Sequence, residues 1–314
     1  MKECNKAVSC SDLLADYGRS RQAAGLSGKF RFDGVGDRDV YNIAAPFAYG
    51  GEQILTGRVE SRTTELSETV FFNKRGAEIW SPVPDVPTFK GLQDPCVTFI
   101  GGRLILGGVR FPIELPGGEK IWRMEFYVGS SVTSLKVLFQ GPDKMKDIRF
   151  GETGDGRVAV LTRPQSAKCG RGKIGFLIAA SLDDITPETI QSAPLIEGQF
   201  IPEEWGGANE VHILKNGLLG ILGHIACFDA AQSRHYYPMS FVLDPVKRTT
   251  SPVRIIARRS DFPAGPAKRP DLEDVVFSGG LVRNGDGSAT LYAGLSDAEA
   301  GWLRIPDPFA AFEA

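Results

Sequence analysis

The sequence predicts an all-β chain folded as a five-bladed β-propeller. Three observations carry that expectation. One hairpin pattern recurs five times, each interval has room for about four strands of 5–6 residues, and helical periodicity is weak throughout. The five cores read IAAPFAYGGEQILTGRVE, VTFIGGRLILGGVR, IRFGETGDGRVAVLTRP, VHILKNGLLGILGHIA and LVRNGDGSATLYAGLSD. In each, apolar runs flank a GG, DG or NG turn, the strongest short-range hairpin signal. The anchor glycines Gly51, Gly102, Gly156, Gly217 and Gly287 lie 51, 54, 61 and 70 residues apart. A four-stranded unit repeated in this way buries its faces against its neighbours.

In chain order, the N-terminal CSDLLADYG is the first helix candidate. Further strands follow between the cores in SETVFFNK, WRMEFYVG, KIGFLIAAS, YYPMSFVLD and PVRIIAR, with a short helical stretch at SLDDITPETI. The repeats run from end to end without a linker, which favours a ring over a β-sandwich or two β domains. Residues 1–314 are therefore expected to form one domain, with 1–38 an N-terminal extension packing on the propeller.

Composition narrows the function classes. Lys+Arg number 36 against 38 Asp+Glu, giving a net charge of −2. That balance excludes a basic nucleic-acid face. At 42% hydrophobic residues the chain is not disordered, and no window approaches the roughly 18 apolar residues of a membrane span. Gly and Pro make up roughly 18% of the chain against an average of about 12%, as frequent turns require. Cys4, Cys10, Cys96, Cys169 and Cys227 are odd in number and scattered, which argues against a disulfide framework or a zinc site. The three histidines lack HxH or HExxH spacing, so no metal is expected. The polar N-terminus lacks a secretory apolar stretch, and a cytoplasmic protein, monomer or homodimer, is expected.

Seven residues past each anchor glycine stand Arg58, Val109, Arg163, His224 and Gly294. Three of these five are cationic or ionisable on otherwise apolar strands, where packing has no need of them. Other polar residues interrupt apolar or glycine-rich runs: Asp94 in GLQDPCVTF, Lys146, Asp147 and Arg149 in KMKDIRF, Asn209 and Glu210 in GGANEVH, and Asp297 in YAGLSD. His212 alternates with apolar neighbours and reads as a satisfied strand histidine. Cys96 reads as a small core side chain, and RIIARRS as a solvated edge.

The ordered set YNIAAPF, GRVESR, QDPCV, GPDKMKDIRF, VLTRP, WGGANEVHILKNGLLGILGHIA, YYPMSFVLDP and VVFSGGLV…LYAGLSD spans roughly residues 40–300. It resembles the β-1,2-mannan phosphorylases and mannosyltransferases, related to the β-mannoside phosphorylases of glycoside hydrolase family 130. The resemblance implies Asp94 as proton donor and Arg149, Arg163, His224 and Tyr236 as phosphate ligands. It implies Asn42, Asp94 and Asp297 in the sugar subsite, to which the seven-residue count and the charged clusters add Arg58, Asp147 and Glu210. At GANEV the chain departs from the commoner pattern, which has a lysine-containing segment there. The expected partners are an oligosaccharide and phosphate or mannose 1-phosphate, with no cofactor.

The residue types suit phosphorolysis. Inverting hydrolysis uses two carboxylates about 6.5–9.5 Å apart, one of them to activate water. Phosphate is already an anionic nucleophile, so a phosphorylase needs one acid and a cationic cradle, for which Arg offers bidentate hydrogen bonds. A raised pKa at Asp94 would keep it protonated, and a protonated His224 would add a donor. Bound diphosphate from GDP-mannose would make the reaction a mannosyl transfer. Two other readings stand beside this one: a hydrolase using Asp94, Glu210 and Asp297, and a non-catalytic propeller that binds a protein.

Overall fold

The computed structural model describes residues 6–20 and 25–313, and the remaining positions of the expected N-terminal extension, 1–5 and 21–24, lie outside the described residues. The chain is all-β, in five antiparallel strand groups taken in sequence order. The first is built on Asp39–Tyr41, Glu52–Glu60, Ser67–Lys74 and Ile79–Pro82. The second holds Leu92–Ile100, Arg103–Glu114, Lys120–Gly129 and Lys136–Gln140. Arg149–Glu152, Val158–Thr162 and Gly175–Ala179 form the third. Trp205–Ile213, Leu219–Phe228, Arg234–Leu243 and the two-residue Arg254–Ile255 form the fourth. Asp274–Arg283, Ser288–Leu295 and Glu299–Pro306 form the fifth. All five anchor glycines sit at positive φ, between 71° and 83°, as the hairpin pattern requires.

The third group differs from the expected four strands. Beyond Gly175–Ala179 the chain turns into the short helix Pro187–Gln191, with Pro187 in its first turn and Thr186 capping the Thr189 amide. A single bridge, Gly175 to Leu195, stands where an outer strand would run. Both helix candidates are present, as Cys10–Ser20 and Pro187–Gln191. Among the described residues no helix is long and apolar enough to cross a membrane.

Apolar side chains gather in five clusters, each shared by two neighbouring groups. Ile54, Phe71, Leu92 and Leu106 join the first to the second, and Ile105, Phe126, Phe150 and Val160 the second to the third. Phe176, Ile221 and Met239 join the third to the fourth, and Leu222, Val276 and Leu291 the fourth to the fifth. The last cluster, with Ile43, Phe72 and Ala300, returns from the fifth to the first. The chain's early residues complete this circuit. Ser27–Lys29 pairs with Glu299–Pro306 on the fifth group, and Arg31–Phe32 then pairs with Ile79–Pro82 on the first.

The seam between the fifth and first groups is tight at Gly279, which bulges out of the ladder between Ser278 and Gly280. A Cβ there would overlap the Ile43 carbonyl oxygen, a backbone atom that cannot swing aside. Gly279→Ala is expected to lower unfolding free energy by about 3 kcal/mol, read from the midpoint shift in urea denaturation.

Candidate active site

A short polar residue stands in or beside the first strand of each group. They are Asn42, Asp94, Asp147, Asn209 and Ser278, and the regular ladder breaks at or beside them. Register shifts flank Asp94, Asn209 and Gly279. Asn42, Asp94 and Asp147 have φ of 46°, 48° and 57°, and Asp297, on the turn after Ser288–Leu295, has 51°. Asn and Asp tolerate this left-handed conformation better than other side-chain-bearing residues. Held strain of this kind clusters at functional sites.

The seven-residue count also has a structural basis. Arg58 pairs with Tyr41, Val109 with Gln93, His224 with Gly207 and Gly294 with Phe277, each on the second strand beside these polar residues. Arg163 directly follows Val158–Thr162. Arg58, Arg163 and His224 are all buried.

One half of the site centres on Asp94. Its Oδ1 accepts from Asn42 Nδ2 at 2.8 Å and from Arg58 Nη1 at 3.1 Å. Arg58 also donates from Nη2 to Glu60 Oε2 at 2.6 Å and to Glu65 Oε2 at 3.2 Å, and lies 5.0 Å over the Tyr41 ring. The Tyr41 hydroxyl donates to Glu60 Oε1 at 2.6 Å, and Lys268 pairs with Glu60 and Glu65. Burial alone would raise the pKa of Asp94, but Arg58, Lys146 and the Asn42 amide outweigh it and hold the carboxyl below its usual range. The expected raised Asp94 is therefore corrected: the resting group is a carboxylate. Asp297 is the carboxyl that burial pushes up, to about 6, with the Asp94 charge adding to the effect and Arg58 opposing it.

The other half centres on Asp147. Arg163 Nη1 stands 3.2 Å from its Oδ2, His224 Nε2 3.9 Å from the same oxygen, and Arg149 Nη2 3.6 Å from Oδ1. Arg163 is fixed by donating from Nε to the Gly206 carbonyl and from Nη2 to the Arg171 carbonyl, both at 2.9 Å. Asn209 Nδ2 is a buried donor without a hydrogen-bond acceptor, and Arg163 Nη1 makes no hydrogen bond beyond its ion pair with Asp147. His224 Nδ1 donates to Asn209 Oδ1 at 2.8 Å, and its ring stacks on Tyr236 at 5.4 Å. Tyr236 in turn accepts from Trp205 Nε1 at 3.1 Å. Burial, reinforced by Arg163, Lys146 and Arg149 against Asp147, drives His224 down to about 3. The expected imidazolium donor is thus corrected to a neutral ring with Nε2 unprotonated. Lys146 bears on Asp94, Asp147 and His224 alike, so its charge links the two halves.

Two further expected residues, Glu210 and Arg149, line a cavity. Glu210 Oε2 accepts from the Leu281 amide at 2.6 Å and pairs with His212 at 2.9 Å. It lines a cavity of about 370 Å³ whose walls include residues 44–47, 96–99, 148–150, 209–212, 279, 281 and 282. Arg149 lines the same cavity and donates to the Asn209 and Ile148 carbonyls at 2.9 and 3.0 Å, leaving Nη2 for Asp147. His212 is satisfied by Glu210, as its sequence setting indicates. Lys146, Asn209, Glu60 and Lys268 belong to the site but were not among the expected ligands. KMKD and GANE marked the first two as polar interruptions. Lys268 meets Glu60 across 208 residues, a contact with no local signature.

Residues 18–311 match the family described as a protein of unknown function, DUF1861. The chain is similar to a mannose phosphorylase from Leishmania mexicana solved in complex with phosphate ion. The two are 34% identical, with a TM-score of 0.89, covering 97% of this chain and 95% of that one. It is also similar to a GDP-Man-dependent mannosyltransferase from the same organism, at 30% identity and TM-score 0.88 over 98% and 96% of the two chains. A 4-O-β-D-mannosyl-D-glucose phosphorylase from Bacteroides fragilis is 30% identical over 150 residues, 46% of this chain and only 37% of that protein.

Because His224 is neutral when folded, the unfolded chain binds the extra proton below its ordinary pKa. Its share of stability is present above about pH 6.5 and is lost as pH falls toward about 3. His235 is the contrast: burial lowers it, but hydrogen bonds to Asp274 and Asp229 prevail and raise it. Nitrogen-15 NMR is expected to show His224 untitrated between about pH 5 and 8, while His235 titrates above its usual midpoint.

Proposed function

The chain belongs to the DUF1861 family, and on that premise we propose that it is a mannoside phosphorylase acting on β-1,2-linked mannosides. The five strand groups are read as the blades of a five-bladed propeller, and the chain as a single domain. The observation that carries the reading is the Asp147 cluster, where two buried guanidinium groups share one carboxylate and Asn209 Nδ2 is a buried donor without an acceptor. Buried donors without partners cost free energy, and phosphate oxygens satisfy them.

In the proposed reaction phosphate, held by Arg163 and Tyr236 with Lys146 nearby, attacks the anomeric carbon. The C1–O bond to the leaving sugar breaks as the new C1–O–P bond forms. Asp94 delivers a proton to the departing oxygen, directly or through a sugar hydroxyl, and the product is mannose 1-phosphate. The resting Asp94 is ionised because Arg58 and Lys146 favour its charge. A phosphate dianion beside Lys146 offsets that cation and adds a like charge, which raises Asp94 toward the protonated form. Phosphate binding thereby prepares the acid. Asp297, pushed up to about 6, is the neighbouring carboxyl that takes up a proton most readily as pH falls below neutrality. Neutral His224 accepts a hydrogen bond from a protonated phosphate oxygen rather than donating one. Against a hydrolase, Glu210 is engaged with His212 and the Leu281 amide, and the site's other side is cationic.

The deciding experiment incubates the protein with β-1,2-manno-oligosaccharides, with and without inorganic phosphate, and assays mannose 1-phosphate. Free mannose formed regardless of phosphate would instead indicate a hydrolase, and a parallel run with GDP-mannose tests mannosyl transfer. Asp94→Asn is expected to lower kcat by about 10³-fold with an unchanged circular dichroism spectrum. Arg163→Ala is expected to raise the KM for phosphate by at least about tenfold, with a smaller change for the mannoside. Steady-state kinetics with each substrate varied in turn separates the two.

A further inference from the structure

Cys10 opens the helix Cys10–Ser20, which packs on the fourth strand group through its buried residues Cys10 and Leu13. The Cys10 amide donates to Glu204 Oε1 at 2.8 Å, and farther along the Tyr17 hydroxyl donates to Asp261 Oδ2 at 2.7 Å. In the same apolar cluster Cys10 packs with Cys227, on Leu219–Phe228. The two thiols are free and lie within hydrogen-bond reach of each other.

Cys227 has a second neighbour. It stands directly opposite His235 in the ladder between Leu219–Phe228 and Arg234–Leu243, so the two side chains share one face of the sheet. His235 Nδ1 donates to Asp274 Oδ2 at 2.8 Å, and its Nε2 faces Asp229 Oδ2 at 3.4 Å. A carboxylate at each ring nitrogen favours the charged imidazolium. The hydrogen bond from Cys10 lowers the Cys227 thiol against the pull of burial, and the His235 charge lowers it further. The same hydrogen bond, together with burial, pushes Cys10 up. One half-buried sulfur is thus poised as a thiolate, with a buried thiol beside it. Elsewhere burial pushes Cys96 up despite Arg149, and Cys169 is buried. Neither Cys10, Cys227 nor His235 has a part in the anion site.

We propose that Cys227 and Cys10 form a peroxide-reactive pair, in which Cys227 is the attacking sulfur and Cys10 resolves it to a disulfide. In the first step the Cys227 sulfur bonds to one peroxide oxygen and the O–O bond breaks. Hydroxide leaves, takes a proton and becomes water, and Cys227 becomes a sulfenic acid. The Cys10 sulfur then displaces that oxygen: the S–S bond forms, the S–O bond breaks, and the Cys10 proton departs in a second water. Two thiols are oxidised to one disulfide, and one peroxide is reduced to two waters. The product fastens the N-terminal helix covalently to the strand that also carries His224. The proposal does not rest on the mannoside reading.

The test treats the reduced full chain with a slight excess of hydrogen peroxide at neutral pH. Remaining thiols are alkylated, and each cysteine is assigned by peptide mass spectrometry. Wild type is expected to give the Cys10–Cys227 bridge, reversed by dithiothreitol. Cys10→Ala is expected to stop at a sulfenic acid on Cys227, captured by dimedone, and Cys227→Ala to leave Cys10 reduced. His235→Asn is expected to slow loss of the Cys227 thiol about threefold, because the thiolate lost as its pKa rises is partly offset by greater nucleophilicity. Circular dichroism checks each variant for fold. Wild type that stays reduced, a bridge through another cysteine, or Cys10 oxidised as fast in Cys227→Ala as in wild type overturns the proposal. An unchanged rate in His235→Asn overturns the part given to His235.

Discussion

The Asp147 carboxylate is what permits a cationic pocket in the interior of this fold. Arg163 and Arg149 are almost wholly buried, and a buried charge without a partner is strongly destabilising. Removing one member of such a pair typically costs about 3–5 kcal/mol. One carboxylate faces two guanidinium groups and bears on Lys146 as well, so the charge is compensated only in part. The remainder is local positive potential with donors already oriented, which is how a protein binds a small dianion without reorganising. The cost of keeping His224 neutral in that field is a depressed pKa, and the ring becomes an acceptor among donors.

The Asp94 half applies the same logic with the signs exchanged. Arg58 and Lys268 are surrounded by Glu60, Glu65, Asp94 and Asp297. Two cations face four carboxyl groups, and Asp297 is the one left with the raised pKa. Two carboxyl groups of one residue type are thus driven in opposite directions by their surroundings. Asp94 has an amide and a guanidinium in direct contact, whereas for Asp297 burial prevails.

Much of the architecture was legible because its signals are local. The glycine of each hairpin turn must be left-handed, so five turns and the strands between them could be read from residue types alone. The offset that singled out Arg58, Arg163 and His224 reaches three buried positions because strand register carries equal spacing from a turn to comparable depth in each strand group. The missing outer strand of the third group was hidden in a stretch whose capping residues, Thr186 and Thr189, do mark a helix. Protonation was not legible. Whether Asp94 or Asp297 carries a proton depends on residues far apart in sequence, and the bond between Glu210 and the Leu281 amide spans 71 residues. Lys268 gave no signal, since it lies outside the repeats and takes its place from contacts made only in the folded chain.

The pairing of Ser27–Lys29 with Glu299–Pro306 bears on how the chain reaches its native state. Ser27 is hydrogen-bonded beside Leu303, so an early-synthesised strand finds its partner only when the last sheet has been made. Until then the edge of Glu299–Pro306 is unpaired, and such edges template association between chains. Closing so long a loop carries an entropic cost that local hairpins do not. Each strand group can form from neighbouring stretches of chain, but the circuit of contacts closes only when Ser27–Lys29 has found Glu299–Pro306.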